Sequence, residues 1–219
     1  NNPDCIVSFE DISSKNLLGK LSNSLAGIDT GDTNRLRSNF WELGIKTQNW
    51  VYELNSLNET IEFGGRSQIM LWENGVGALK EIPGARIQNV KYWGQRGVFV
   101  TRMASIPATL SFGEAWNRNG AMLVPHDEEY LAALWTYTKS DEFTQNVRAL
   151  NQKVSVSEAT FEKIEFDIDY WQKVADEKYP NGLPKPYSDD PTQWLFHGHP
   201  LQTESPLQVV IARLMGYEW

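Results

Sequence analysis

Short β-type runs alternate with turn-forming residues through the middle of the chain, and this pattern constrains the fold most strongly. The runs cover residues 87–92, 97–101, 108–111 and 121–124, and Gly94, Pro107, the segment 117–120 and Pro125 separate them. Upstream, residues 50–54, 60–63 and 67–72 are also typical strands. The run Glu73-Asn74-Gly75 predicts a hairpin turn, from which residues 76–81 return.

Helical patterns flank this β-rich region. Acidic residues at 127–129 favour a helix start, and an apolar stripe at Leu131, Leu134 and Trp135 continues it. Ser140 is a typical N-cap for a second helix through residue 150. Residues 153–157 and 160–168 are interpreted as strands or extended chain, as is the apolar run 4–10. A Pro-rich linker at 179–192 precedes a helix capped at residue 205.

Composition sets limits on the class of protein. The 219 residues suffice for one large domain, and no apolar run is long enough to cross a membrane. A single cysteine, Cys5, excludes an internal disulfide and fits a reducing, cytoplasmic compartment. The net charge of −8 comes from residues 121–219, since the 12 Lys and Arg of residues 1–120 balance 12 Asp and Glu. The sequence lacks an initiator methionine, and we expect it to be a piece of a longer protein.

Residues 27–42 combine a turn-rich opening with closely spaced arginines. Gly27, Asp29, Gly31 and other turn formers predict a tight, ordered loop, and Arg35 and Arg37 follow, then Phe40-Trp41-Glu42. Two guanidinium groups on a rigid loop suit an anionic partner. The alternative interpretation is a solvated loop between strands, with the two aromatic side chains in the core.

The run Gly27-x-x-Thr-Gly-Asp-x-x-Arg35, closed by Phe40-Trp41-Glu42, resembles the loop that opens the target recognition domain of large bacterial adenine-N6 DNA methyltransferases. These are the type IIG-like and phage-defence (BREX- or DISARM-type) restriction-modification enzymes. Their usual run has Leu, Asn and Phe where this chain has Ile28, Thr33 and Leu36. Further parts of the resemblance lie at Gly64-Gly65 with 72–75, at residues 91–105, at 119–125, at 131–143 and at 164–171.

The resemblance implies an α+β fold: a twisted, mostly antiparallel sheet with flanking helices. It implies a DNA target recognition domain over residues 1–175, and the linker and C-terminal helical extension would occupy residues 176–219. Such a domain reads double-stranded DNA and positions the adenine for a catalytic domain of the same polypeptide, which binds S-adenosylmethionine. Arginine is the commonest reader of guanine, and hydroxyl groups and lysine contact phosphate. The expected DNA-binding residues are Thr30, Arg35, Arg37, Arg66, Lys91, Arg96, Thr101, Arg102 and Ser105.

Catalytic motifs are missing from the sequence. It has neither a Gly-rich cofactor loop nor the (Asn/Asp)-Pro-Pro-(Tyr/Phe) motif that holds a flipped adenine, so we expect no enzymatic activity. His197 and His199 favour a structural turn over a metal site. Two other classes stay open. A protein- or carbohydrate-binding module would expose Trp93, Trp116 or Trp194. A small metal-dependent nuclease would gather carboxylates such as Asp4 and those of 176–177 around a divalent ion.

Overall fold

The computed structural model describes residues 16–43, 48–103, 105–186 and 206–214. These residues form a mixed α+β fold with two four-stranded sheets, mostly antiparallel, and flanking helices, which confirms the predicted fold class. The resemblance to methyltransferase recognition domains implied one sheet, whereas the described residues form two. The strands are β1 (Ser22–Ala26), β2 (Arg37–Asn39), β3 (Trp50–Leu54), β4 (Gln68–Leu71), β5 (Gly97–Thr101), β6 (Ala108–Ser111), β7 (Ala115–Trp116) and β8 (Gly120–Pro125). The helices are α1 (Thr33–Leu36), α2 (Leu131–Thr138), α3 (Asp141–Leu150), α4 (Glu158–Glu162), α5 (Ile168–Lys178) and α6 (Pro206–Leu214).

The first sheet has the order β1-β8-β5-β6, and every neighbouring pair is antiparallel. Side chains alternate between its two faces, as the pleat of a strand requires. Val98 and Val100 of β5 join the core formed with helices α2 to α5, whereas Phe99 between them belongs to a different core cluster. Both faces of this sheet are therefore buried, which explains the nearly continuous apolar composition of β5 and β8.

The second sheet has the order β2-β4-β3-β7, with β7 parallel to β3. A short turn leads from β7 directly into β8, so the chain passes from the second sheet to the first at residues 117–119. Leu54 of β3 packs with Phe99, Trp116 and Met122 in a cluster that draws on both sheets. The shared core fixes the turn at residues 117–119, because the strands on either side of it, β7 and β8, are both buried.

The helical layer confirms the predicted cap at Ser140, whose hydroxyl accepts a hydrogen bond from the Phe143 amide at 3.2 Å. A second cap was missed: the Asp167 carboxylate accepts from the Tyr170 amide at 3.1 Å and begins α5. The prediction of extended chain over 160–168 is therefore wrong, since that segment contains the end of α4 and the cap of α5. Phe161 and Ile164 are both buried there at helical spacing.

Three further expected strands are irregular. Residues 60–63 follow the edge of β6 through two hydrogen bonds, from the Ile61 amide to Ala108 and from the Leu110 amide to Glu62, and form no regular ladder. Residues 76–81 and 87–92 contain 3₁₀ turns instead of strands. The turn at Glu73-Asn74-Gly75 exists, with Asn74 and Gly75 at positive φ, but it does not close a hairpin.

The C-terminal part of the prediction is covered only in part. The proposed boundary at residue 175 falls within α5, which ends at Lys178, and the predicted helix after residue 205 is present as α6. Residues 187–192 of the linker, the expected strand at 4–10 and the histidines 197 and 199 lie outside the described residues. Within the described ranges, no helix combines the length and apolar composition needed to cross a membrane.

Candidate nucleic-acid interface

The loop that follows β1 is held against the β7–β8 turn from its first residue. Ile28 forms a parallel bridge with Asn117, and its amide donates to the Trp116 carbonyl at 2.9 Å. A Cβ atom on Gly27 would lie 2.2 Å from the carbonyl oxygen of Asn117. Because that neighbour is backbone and cannot rotate away, only glycine fits at residue 27.

The next residues of the motif stabilise the loop from within. Gly31 has φ +68°, and its amide donates to Oδ1 of Asp29 at 3.2 Å. The Asp32 carboxylate accepts from the Arg35 amide at 3.2 Å and caps helix α1. Thr30 is fully buried, and its hydroxyl accepts a hydrogen bond from Arg37. Thr30 therefore holds the loop together and presents no hydroxyl at the surface, which corrects its expected contact with DNA.

Arg37 ties this loop to the second sheet. Its Nε and Nη2 atoms donate to the two carboxylate oxygens of Glu53 at 2.5 and 2.8 Å. Nη2 also donates to the Ile28 carbonyl, and Nη1 to the Thr30 hydroxyl. Burial raises the pKa of the Glu53 carboxyl, and the hydrogen bonds from Arg37 act in the opposite direction. The geometry assigns Arg37 a structural role, so its expected display toward DNA is corrected.

A third segment closes the arrangement. Asp29 and Arg86 exchange two backbone hydrogen bonds, of 3.2 and 2.7 Å, across an antiparallel bridge. The Gln88 side chain donates to the Gly27 carbonyl at 2.7 Å, and the Asn89 side chain donates to the Ala26 carbonyl at 2.9 Å. Residues 27–37, 85–91 and 117–118 thus lie side by side, and we call them the loop cluster.

The loop cluster is cationic although the chain as a whole is acidic. It contains five Arg and Lys against two Asp. The side chains of Arg35 and Arg86 are exposed, and neither has an ion-pair or hydrogen-bond partner among the residues that the structure describes. Lys91 is also exposed, with its Nζ 5.0 Å from the centre of the Tyr92 ring. Arg118 is paired with Asp29 at 2.8 Å. Within the part of the chain that the structure describes, the cluster therefore offers at least two unpaired guanidinium groups that can bind an anion.

Several of the arginines expected from the sequence do not reach the surface in this way. Arg66 is buried: its Nε donates to Glu114 at 2.7 Å, and its other nitrogens donate to the carbonyls of Gly64 and Leu110. Burial lowers the pKa of Arg66, and the Glu114 carboxylate acts in the opposite direction. Since all three guanidinium nitrogens are engaged, Arg66 supports the turn at 64–65. This finding corrects its expected role in reading DNA bases.

Arg102 is similarly engaged at the end of β5. Its Nε donates to the Val156 carbonyl at 2.5 Å, and its Nη1 pairs with the Glu158 carboxylate. The side chain is largely buried and fastens β5 to the segment that leads into α4. Thr101 beside it is buried and accepts from the Leu57 amide at 2.9 Å. Both residues were expected to face DNA, and both instead stabilise the end of β5.

Arg96 and Ser105 lie outside the loop cluster. Arg96 donates to Glu128 at 3.1 Å in an exposed ion pair, and its guanidinium lies 5.4 Å from the centre of the Phe112 ring. Ser105 is exposed in the turn between β5 and β6. Of the expected set, the structure places Thr30, Arg35, Arg37 and Lys91 in the loop cluster. Arg102 touches the cluster through a hydrogen bond from its Nη1 to the Arg118 carbonyl at 3.3 Å, and the other expected residues lie outside it.

Sequence reasoning missed Arg86 and Arg118. Arg86 follows Pro83-Gly84, the same glycine neighbourhood that singled out other arginines, and Arg118 lies in the recognised turn 117–120. Either could have been selected on that signal. Two backbone bridges to residues 28 and 29 place Arg86 and Arg118 beside the loop, and no local sequence pattern predicts these bridges.

The residues expected for the other two classes are arranged differently. Trp116 is buried, with its indole nitrogen donating to the Leu25 carbonyl at 3.1 Å. Trp93 packs on Trp72 with ring centres 4.7 Å apart, and Trp194 lies outside the described residues. Over the parts of the chain that the structure covers, no three His, Cys, Asp or Glu side chains are grouped to hold a metal ion.

Comparisons of the whole chain with protein-family models and with curated proteins gave no match. The likeness of the loop to methyltransferase recognition domains therefore stays a prediction from the sequence.

Proposed function

We propose that this chain is the sequence-specific DNA recognition module of an adenine-N6 DNA methyltransferase or restriction-modification enzyme from a bacterium. It binds duplex DNA through the loop cluster and positions the target adenine. A catalytic domain of the same polypeptide, with S-adenosylmethionine as its cofactor, transfers the methyl group in the cytoplasm. The chain itself carries out no catalysis.

One observation supports this proposal above the others: Arg35 and Arg86 are exposed, and within the described ranges their side chains are unpaired, on a cationic surface whose backbone is fixed by buried contacts. A free guanidinium can donate two parallel hydrogen bonds to guanine or to a phosphate. A fixed backbone lowers the entropy lost on binding, because the loop is already ordered. Arg35 is also the residue that matches the arginine of the family loop.

The remaining charges fit the same proposal. The acidic excess lies in residues 121–219, beyond the segments that form the loop cluster. Among the described residues, the loop cluster offers only a small set of unpaired cations for phosphate contacts, so we expect weak DNA binding by the chain alone. Site-specific affinity in the parent enzyme would then depend on phosphate contacts made by the catalytic domain as well.

The test compares charge reversals inside and outside the loop cluster. Selection of preferred duplexes from a random library with the full chain gives its sequence preference, and fluorescence anisotropy gives the affinity. We expect Arg35→Glu and Arg86→Glu each to weaken binding to the selected duplex by about 5- to 150-fold, the loss of one arginine contact. Lys173→Glu, an exposed residue of α5, is the matched control and should change affinity by less than about 2-fold.

Two results would contradict the proposal. One is the recovery of no preferred sequence together with no measurable duplex binding at low salt. The other is a preference and affinity that survive the Arg35 and Arg86 reversals unchanged. Equal losses in all three variants would show only a response to net charge, and would count against the loop cluster as the reading surface.

A further inference from the structure

Arg118 and Asp29 form an ion pair at the centre of the loop cluster. Nη1 of Arg118 donates to Oδ2 of Asp29 at 2.8 Å, and the two side chains are 45% and 35% exposed. The other oxygen of Asp29 accepts from the Gly31 amide. The hydrogen bond from Arg118 is the main cause that lowers the pKa of Asp29, so the carboxylate is ionised at neutral pH.

This pair differs from the two buried ion pairs described above. Arg37–Glu53 and Arg66–Glu114 are nearly inaccessible to water, and an anion from outside could not replace either carboxylate. Water reaches both members of the Arg118–Asp29 pair, and exposed pairs of this kind contribute at most about 1 kcal/mol. A phosphate group offers Arg118 the same acceptor geometry as a carboxylate, so exchange costs little.

The position of the pair places it on the surface proposed to meet DNA. Asp29 and Arg86 lie directly opposite each other and exchange both backbone hydrogen bonds, so their side chains project from the same face. The Asp29 side chain forms its ion pair with Arg118 on that face. A duplex that reaches Arg86 therefore meets an arginine whose charge is already neutralised by a carboxylate.

We propose that Asp29 is a specificity-determining residue, which restrains backbone-phosphate binding by occupying Arg118 and repelling phosphate. This inference rests on the proposed function. A duplex of arbitrary sequence gains little by displacing Asp29, since the carboxylate would remain beside its phosphates. A duplex seated by base contacts brings a phosphate close enough to take over Arg118. Asp29 thus lowers affinity for non-specific DNA more than for the preferred sequence.

Asp29→Asn removes the charge while its amide oxygen can still accept from the Gly31 amide. We expect affinity for a fluorescein-labelled duplex of arbitrary sequence to rise about 3- to 10-fold at low salt. The dependence of log K on log salt should steepen by about one phosphate contact. Arg118→Gln in the Asp29→Asn background should abolish the gain.

Glu177→Gln removes one negative charge from the exposed face of α5 and is the control for net charge. A gain in Asp29→Asn that equals the control, or that persists after Arg118→Gln, overturns the inference. Binding that depends on Arg35 and Arg86 but not on Asp29 overturns the inference and leaves the proposed function standing. No duplex binding by either the wild-type chain or Asp29→Asn overturns both. Circular dichroism establishes that each variant is folded.

Discussion

Loss of the Glu53 carboxylate should destabilise the fold through Arg37. Glu53 is completely buried and receives two hydrogen bonds from Arg37, whose side chain is only 10% exposed. In Glu53→Ala the guanidinium stays in place, bonded to Thr30 and to the Ile28 carbonyl, without a counter-charge. Breaking a buried pair in this way costs about 3–5 kcal/mol. Because Arg37 keeps some contact with water, we expect about 3 kcal/mol.

Urea unfolding followed by tryptophan fluorescence measures this loss as a change in the free energy of unfolding. The matched control is Glu128→Ala, which removes the carboxylate of the exposed Arg96–Glu128 pair and should cost less than about 1 kcal/mol. Hydrogen exchange over residues 28–36 gives a local measure, and it should speed up in Glu53→Ala alone because Arg37 holds that loop.

A double variant separates the unpaired charge from simple loss of packing. In Arg37→Met/Glu53→Leu neither charge remains, and apolar groups replace both partners. We expect it to recover at least about 1 kcal/mol relative to Glu53→Ala, since the cost of the buried unpaired charge disappears. The reasoning is refuted when Glu53→Ala costs no more than Glu128→Ala, or when the double variant is less stable than Glu53→Ala.

Two other properties of the loop cluster can be measured directly. Gly27→Ala should lower the free energy of unfolding in urea by about 2–4 kcal/mol, because the new Cβ displaces the Asn117 backbone and its bridge to Ile28. Gly84→Ala should cost about 1–2 kcal/mol, because residue 84 has open space around it and only its φ of +86° causes strain. Equal costs for the two variants would contradict the close approach of Gly27 to Asn117. The Arg118–Asp29 pair should persist at acidic pH, because the pKa of Asp29 is lowered in the folded chain. The contribution of the pair to stability is present above the ordinary pKa of 3.8 and is lost only as the pH falls through the lower pKa of the folded state. The affinity ratio of Asp29→Asn to wild type should therefore be constant from about pH 5.5 to about pH 8, and a ratio that shrinks toward pH 5.5 would contradict this.

Strands were predictable where β-type runs are bounded by turn residues and the ladder is regular. β3, β5, β6 and β8 lie where the sequence placed them because alternation and turn residues act over a few neighbouring positions. The prediction over residues 160–168 was wrong because Ile164, Phe166 and Ile168 alternate with polar residues as in a strand. In the structure the Asp167 cap divides the segment between two helices.

The availability of each arginine could not be predicted from the sequence. Arg66 and Arg102 pair with glutamates 48 and 56 residues away along the chain. Even the closest of these pairs, Arg37–Glu53, spans 16 residues and joins two different strands. Glycine neighbours and β-type runs are local signals, so they identified arginines in structured segments without indicating which ones have a carboxylate within reach. Tertiary packing alone separates Arg35 from Arg37, two residues apart.

The loop motif divides its residues between building the loop and facing outward. Gly27, Thr30, Gly31 and Asp32 each satisfy an internal requirement: close backbone approach, a buried hydrogen bond, a positive φ or a helix cap. Arg35 satisfies none of these through its side chain, and its amide alone takes part in the cap. A substitution at Arg35 or Arg86 would therefore change what the surface contacts without changing the loop that presents it. A module that reads different DNA sequences on one fold requires this independence, because new side chains must be accepted without loss of stability.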